Sequence, residues 1–194
     1  MAKPDDRAQR EIEHGKKLSV AGAEGVWGWG TPAGQVRAHR RAEFIARAAG
    51  LRPGLTALEI GCGTGNFTER FAASGARILA VDISEDLLAE ARQRNLPNVT
   101  FVCQPFEALS SDQPFDAVIG SSILHHLEIR PALEEILRLL KPGGVMSFAE
   151  PNMANPQIMV QKNVRWIGER LGESPDETAF FRGQLMRLMR QVGF

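Results

Sequence analysis

Short apolar runs at residues 56–61, 76–82, 99–103, 115–120 and 144–150 alternate with segments whose apolar residues recur at three- and four-residue spacing. The runs are nearly continuous in Leu, Ile, Val and Ala, as in strands buried on both faces. The segments between and before them predict helices at 33–49, 66–74, 84–94 and 130–140. Strand and helix in alternation predict an α/β fold: a doubly wound, mostly parallel, Rossmann-like sheet with helices on both sides. Local signals agree, since Ser84 followed by Glu85 and Asp86 makes a helix cap, and Pro131 suits a helix start.

Past the fifth run the series Val160, Val164, Ile167 and Leu171 predicts an added helix, placed at 156–172 as a cover over the substrate. Ser174-Pro-Asp-Glu177 is a capping box, and the helix it opens buries Phe181, Leu185, Leu188 and Val192. Residues 1–32 read as an N-terminal arm or lid and 33–194 as one domain.

Composition narrows the function. The 194 residues are 43% hydrophobic, enough for one sizeable core. Lys+Arg 23 against Asp+Glu 23 gives no net field to recruit nucleic acid or an anionic membrane. Residues 1–52 are locally basic, with Arg37, Arg40, Arg41 and Arg47 on one helix, read as a solvated face. Neither an export signal nor an apolar run near the ~18 residues of a membrane span occurs, so the expected location is cytoplasmic. Cys62 and Cys103 have neither metal-ligand nor disulfide spacing; both read as reduced, and no metal is expected.

Chemistry concentrates at Leu58-Glu-Ile-Gly-Cys-Gly-Thr-Gly-Asn66, where the first strand runs into glycines at 61, 63 and 65. Such a turn lets a backbone approach a ligand closely. Asp82 ends the next strand, about 20 residues on, where these folds place the carboxylate that holds ribose hydroxyls. A dinucleotide fingerprint wants its third glycine one place later, where Asn66 stands. Glu59 would repel a pyrophosphate and welcome an amino group. A nicotinamide enzyme of the short-chain type also needs a tyrosine, and the chain has Tyr 0.

Here the sequence resembles the class I S-adenosylmethionine-dependent methyltransferases, whose first motif is Glu/Asp-x-Gly-x-Gly-x-Gly. Glu59, Gly61, Gly63 and Gly65 match it, and the likeness continues through Asp82, Phe115–Leu127 and Leu140–Val145. The ubiquinone/menaquinone-type, small-molecule enzymes are the most similar in character. The resemblance implies strand order 3-2-1-4-5, S-adenosyl-L-methionine as cofactor, and methyl transfer to O, N or C of a small acceptor by in-line displacement. The family's sheet ends in a two-strand hairpin. This chain stops at Gly193-Phe194, so the hairpin is expected to be missing and strand five to form an apolar edge. A partner chain, as in a homodimer, or the N-terminal arm would cover it. A non-catalytic S-adenosylmethionine binder or truncated pseudo-enzyme is the alternative.

The same resemblance implies the site residues. The cofactor candidates are Glu59, Gly61, Cys62, Gly63, Gly65, Asp82, Ile83 and Ser121. At the place of the acid that takes the adenine amino group stands Pro105; Phe106 either stacks on adenine or belongs to the core, and Glu107 is a substitute acceptor. Trp27 and Trp29 either close over the sulfonium or pin the arm to the body. Arg37 and Arg40 face the methionine carboxylate or an anionic substrate. His125 and His126 are the catalytic candidates, read as a general base or as packing. Glu150 and Asn152 are expected at the acceptor mouth. A displacement at a sulfonium asks for alignment and dryness more than for a strong catalytic signature.

Overall fold

The computed structural model describes residues 4–109, 114–164 and 179–194. In chain order the elements are α1 (Pro4–Ala21), α2 (Ala23–Val26), α3 (Pro32–Ala48), β1 (Thr56–Ile60), α4 (Asn66–Ala72), β2 (Arg77–Asp82) and α5 (Glu85–Arg92). There follow β3 (Val99–Cys103), β4 (Phe115–Ser121), α6 (Ile129–Leu139), β5 (Leu140–Ala149), α7 (Pro156–Asn163) and α8 (Arg182–Val192). Single 3₁₀ turns sit at Phe106–Ala108 and Leu124–His126. The sheet order is β3-β2-β1-β4-β5 with every pairing parallel, as the alternation requires.

Successive side chains of a strand point to opposite faces, and here each face has its own core. Ala57, Ile78, Ala80, Ala117 and Ile119 meet Ala42 and Ile45 of α3 and Phe71 of α4. Leu58, Ile60, Val81 and Val118 meet Ala132, Ile136 and Leu139 of α6. Small residues on the first face let α3 lie close, and Ser147 of β5 donates to the Ile45 carbonyl at 3.2 Å. Each fully buried Leu or Ile contributes on the order of 1.5–3 kcal/mol. At the amino edge of the sheet, Asp116 accepts from Thr56 N and Oγ1 and from Lys141 Nζ, all at 2.8 Å, tying the starts of β1, β4 and β5 together.

Several expectations change. The N-terminal arm is helical: α1 packs on α5, with Leu18 against Leu87. β5 starts at Leu140 rather than 144: Leu140 already pairs with Phe115, and the chain bulges through Gly143, at φ 77°, before Val145 pairs with Ala117; Pro142 sits at the sheet edge, where it needs no outer partner. The arm does not cover that edge, since it lies over the carboxyl ends of the strands, and Val145 remains 38% exposed. The added helix stops at Asn163, so Ile158 points inward while Val160 is exposed; Ile167 and Leu171 lie outside the described residues. The capping box at 174–177 also lies outside them. Phe181 is exposed at the cap of α8, and Leu185, Leu188 and Val192 are only half-buried.

Candidate functional site

A cavity of about 760 Å³ opens where β1 to β4 end, the crevice in which open α/β sheets bind ligands. Its floor is the turn after β1. Gly61 has φ 67°, and a Cβ there would lie 2.5 Å from the Ile123 side chain, so nothing larger than glycine fits. The Gly61 and Cys62 amides donate to the Val81 carbonyl at 2.8 and 3.2 Å. Asp82 then closes the turn: its Oδ2 accepts from Gly63 N at 2.8 Å and its Oδ1 from Ser84 N at 2.9 Å. Burial pushes this carboxyl above its usual range while the amides pull it back. A carboxylate has about four lone-pair sites, and the Ser84, Gly63 and Ile83 amides do not use them all, which leaves capacity for a ligand hydroxyl.

Glu59 lies beneath the turn, 1% exposed and off the cavity wall. Burial drives its carboxyl up to about 8, partly offset by the nearby Thr68 hydroxyl. Glu59 Oε2, Thr68 Oγ1 and Asn66 Nδ2 are buried without hydrogen-bond partners among the described residues. Asn66 reaches the wall, so the orphaned polar atoms begin at the ligand space. Cys62 is buried beside Glu59 and Asp82, and its thiol is pushed well above the ordinary value, which makes it inert.

The turn after β4 is equally shaped. Ser122 has φ 58°, a left-handed conformation rare outside glycine and costing of order 1 kcal/mol. Glu150, at the end of β5, accepts from Ile123 N and Leu124 N, each at 3.0 Å, and its Oε2 lies 2.7 Å from His125 Nδ1. Arg41 of α3 donates to Ser122 Oγ at 2.8 Å and Ser121 Oγ at 3.3 Å. Its guanidinium also sits 5.1 Å from the Trp29 ring, with Arg37 at 5.8 Å from the same ring.

The N-terminal segment forms the roof. Arg7, Glu11, Gly15 and Leu18, one face of α1, line the cavity. The helix fits because residue 15 has no side chain: a Cβ would lie 2.6 Å from Ser84 Oγ. Arg7 pairs with Glu128 at 3.2 Å, and Glu11 Oε2 lies 3.1 Å from His126 Nδ1. Trp27 packs beside Leu18, Ala23 and Leu87, and Trp29 meets Phe67 edge to face at 5.5 Å. Both tryptophans pin the arm to the body and also line the cavity.

Most candidates named from sequence converge here. Gly61, Cys62, Gly63, Asp82, Ile83, Pro105, Phe106, Glu107, Ser121, Trp29, Arg37, His125 and His126 all reach the wall. Phe106 does so from within the core, 3% exposed. Gly65 does not; it caps α4 with φ 76°. Arg40 is exposed, and its neighbour Arg41 turns inward, because the helix face toward the sheet is Ala38, Ala42 and Ile45. Burial among these lowers the Arg41 pKa, so it is no part of a solvated face. Glu150 and Asn152 are off the wall; the Glu150 carboxylate is spent on the turn. Sequence reading did not name Asn66, Ser122 or Ile123 as site residues, although they lie inside the matching stretches, and it missed Gln104 and the α1 face, which carry no motif.

Residues 57–144 match the family model of the methyltransferase domain. Over 119 residues the chain is 37% identical to the demethylmenaquinone methyltransferase of Renibacterium salmoninarum, which spans 60% of this chain and 49% of that protein. Nodulation protein S of Rhizobium tropici is 32% identical over 124 residues, 61% of this chain and 52% of the relative. The solved structure of the [4+2]-cyclase SpnF matches with TM-score 0.64 at 27% identity, covering 80% of this chain and 56% of that one. The chain thus spans about half the length of the curated relatives it matches. Family match, sheet order and glycine turn together define a class I methyltransferase domain, the S-adenosylmethionine-dependent type.

Proposed function

We propose that the chain transfers a methyl group from S-adenosylmethionine to O, N or C of a small-molecule acceptor. The observation that carries this reading is the closed floor: a glycine turn no side chain can enter, latched by Asp82, under a cavity that runs on to His125, His126 and α7. The residues fit the cofactor. Asp82 takes the ribose hydroxyls; Ile83, Pro105 and Phe106 flank the adenine, with Gln104 or Glu107 as polar partner. The backbone at 61–63 and Asn66 hold the amino-acid end, and Arg41 rather than Arg40 meets its carboxylate. Trp29, between two arginines, closes that end and excludes water.

The cofactor supplies a methyl carbon on a sulfonium, so the acceptor atom bonds to carbon as the carbon–sulfur bond breaks and its electron pair stays on sulfur. The chain's own work is alignment and proton removal. Ser121, Leu127, Ile158 and Lys162 border the space left for the acceptor. His125 and His126 stand beside it as the proton-accepting groups. Relatives named for menaquinone and ubiquinone synthesis support a phenolic or quinol-like acceptor. The roof α1–α2 and the helix α7 act as lid and acceptor cover.

One observation favours a second reading, a binder that does not transfer methyl: the fold relative SpnF is a [4+2]-cyclase. Incubating the chain with S-adenosylmethionine and a panel of catechols and hydroxynaphthoquinones, with mass spectrometry of S-adenosylhomocysteine, separates the two. Acceptor-dependent release supports methyl transfer. Binding without release from any acceptor supports the second reading.

A further inference from the structure

Two neighbouring histidines reach the cavity, but their surroundings differ. His126 turns toward α1, its Nδ1 3.1 Å from Glu11 Oε2. The His125 ring, 4.3 Å away and tilted by 41°, turns to β5, where Glu150 Oε2 lies 2.7 Å from its Nδ1. Both members of this second pair are buried, at 4% and 7% side-chain exposure. The other oxygen of Glu150 accepts the Ile123 and Leu124 amides, so three groups of one turn converge on a single carboxylate. Arg41, bound to Ser121 and Ser122 of the same turn, has its pKa lowered by burial, and the nearby Glu150 charge offsets part of that.

We propose that Glu150 is a positioning residue for the methyl-transfer site: it fixes the turn after β4 and holds His125 as the Nδ1–H tautomer. The proposal rests on the methyltransferase reading above. A carboxylate accepts only, so the shared proton belongs to Nδ1 and the imidazole lone pair belongs to Nε2. Nε2 is then the atom that takes the acceptor's proton as the acceptor bonds to the methyl carbon. A buried carboxylate on the far nitrogen also stabilises the imidazolium so formed, the logic by which an acid orients a histidine base elsewhere. The sequence separation of 25 residues hides this pairing; parallel pairing of β4 with β5, Ser121 opposite Ala149, creates it.

The charge arrangement can be inverted with one nearly isosteric change. In Glu150→Gln the amide oxygen still accepts the Ile123 and Leu124 amides, while the amide nitrogen donates to His125 Nδ1 and drives the ring proton to Nε2. The test is ¹⁵N imidazole spectroscopy of the full chain saturated with S-adenosylhomocysteine at neutral pH, with His125→Gln to assign the signal. The expected wild-type signature is a pyrrole-type Nδ1 and pyridine-type Nε2. Glu150→Gln should reverse the two while S-adenosylhomocysteine affinity changes less than about threefold. A pyridine-type Nδ1 in wild type, or an unchanged tautomer in Glu150→Gln, overturns the proposal. If Glu150→Gln does not fold, the wild-type spectrum decides alone. Failure of the wild type to bind S-adenosylhomocysteine overturns the methyltransferase reading instead, and the tautomer of the unliganded protein still reports on Glu150.

Discussion

At the scale of single residues, Glu59 is the group whose environment most departs from the ordinary. Its carboxyl is raised to about 8 by burial, whereas in the unfolded chain it titrates near 4.5. The folded protein therefore holds one more proton than the unfolded one between those values. Stability from this group is full below about pH 4.5 and is lost as pH rises to about 8, by at most about 1.4 kcal/mol per pH unit. Asp82, also raised by burial, slopes the same way. Denaturant midpoints of the unliganded protein at pH 5 and 8.5 should differ in favour of pH 5, and Glu59→Gln should flatten the difference. Equal slopes for both proteins would contradict this account of the buried carboxyl. The identity of Glu59 was legible in the sequence, but its depth was not. Spacing places a residue on a strand; it does not show that Gly61 to Asn66 would fold over it and form the wall.

At the scale of elements, motif-bearing segments were legible and packing-dependent ones were not. The five strands and the helices at 32–48, 66–72, 85–92 and 129–139 follow from apolar period, Ser84 and the glycines, because buried parallel strands and amphipathic helices write themselves into spacing. α1 does not, since its cavity face is Arg7, Glu11, Gly15 and Leu18, with a single large apolar residue. It is helical by docking on α5, where Gly15 meets Ser84. Gly15→Val would force these apart. Hydrogen exchange should then show lost protection over residues 4–21 while β1 and β4 stay protected, and S-adenosylhomocysteine affinity should fall by about tenfold or more as the roof opens. Simultaneous loss of protection in α1 and the sheet would show that α1 is not a separately docked lid. Arg41 gives the same lesson in reverse: only the helical phase of α3, set by Ala38 and Ala42, distinguishes it from Arg40.

At the scale of the whole molecule, the sheet is anchored at one end and open to ligand at the other. The anchor is Asp116, which ties β1, β4 and β5; its bonds to Lys141 and Thr56 hold its carboxyl down to about 2, below the 3.8 of the free group. A depressed acid stabilises above its unfolded value and loses that contribution as pH falls toward 2. Asp116 is partly exposed, so solvent screening limits the effect to about 1 kcal/mol. Asp116→Asn should be less stable than wild type at pH 7, with the gap narrowing as pH falls below about 4 and closing only below about pH 2; a gap independent of pH would assign the loss to packing. The ligand end carries the central claim, that the cavity over the glycine turn holds S-adenosylmethionine. Isothermal titration of the folded chain with S-adenosylhomocysteine tests it most directly, with Gly61→Val as the variant whose side chain would collide with Ile123. The account predicts saturable one-to-one binding to wild type and at least a hundredfold loss in a Gly61→Val protein that remains folded; no binding to folded wild type, or equal binding to both, would contradict it.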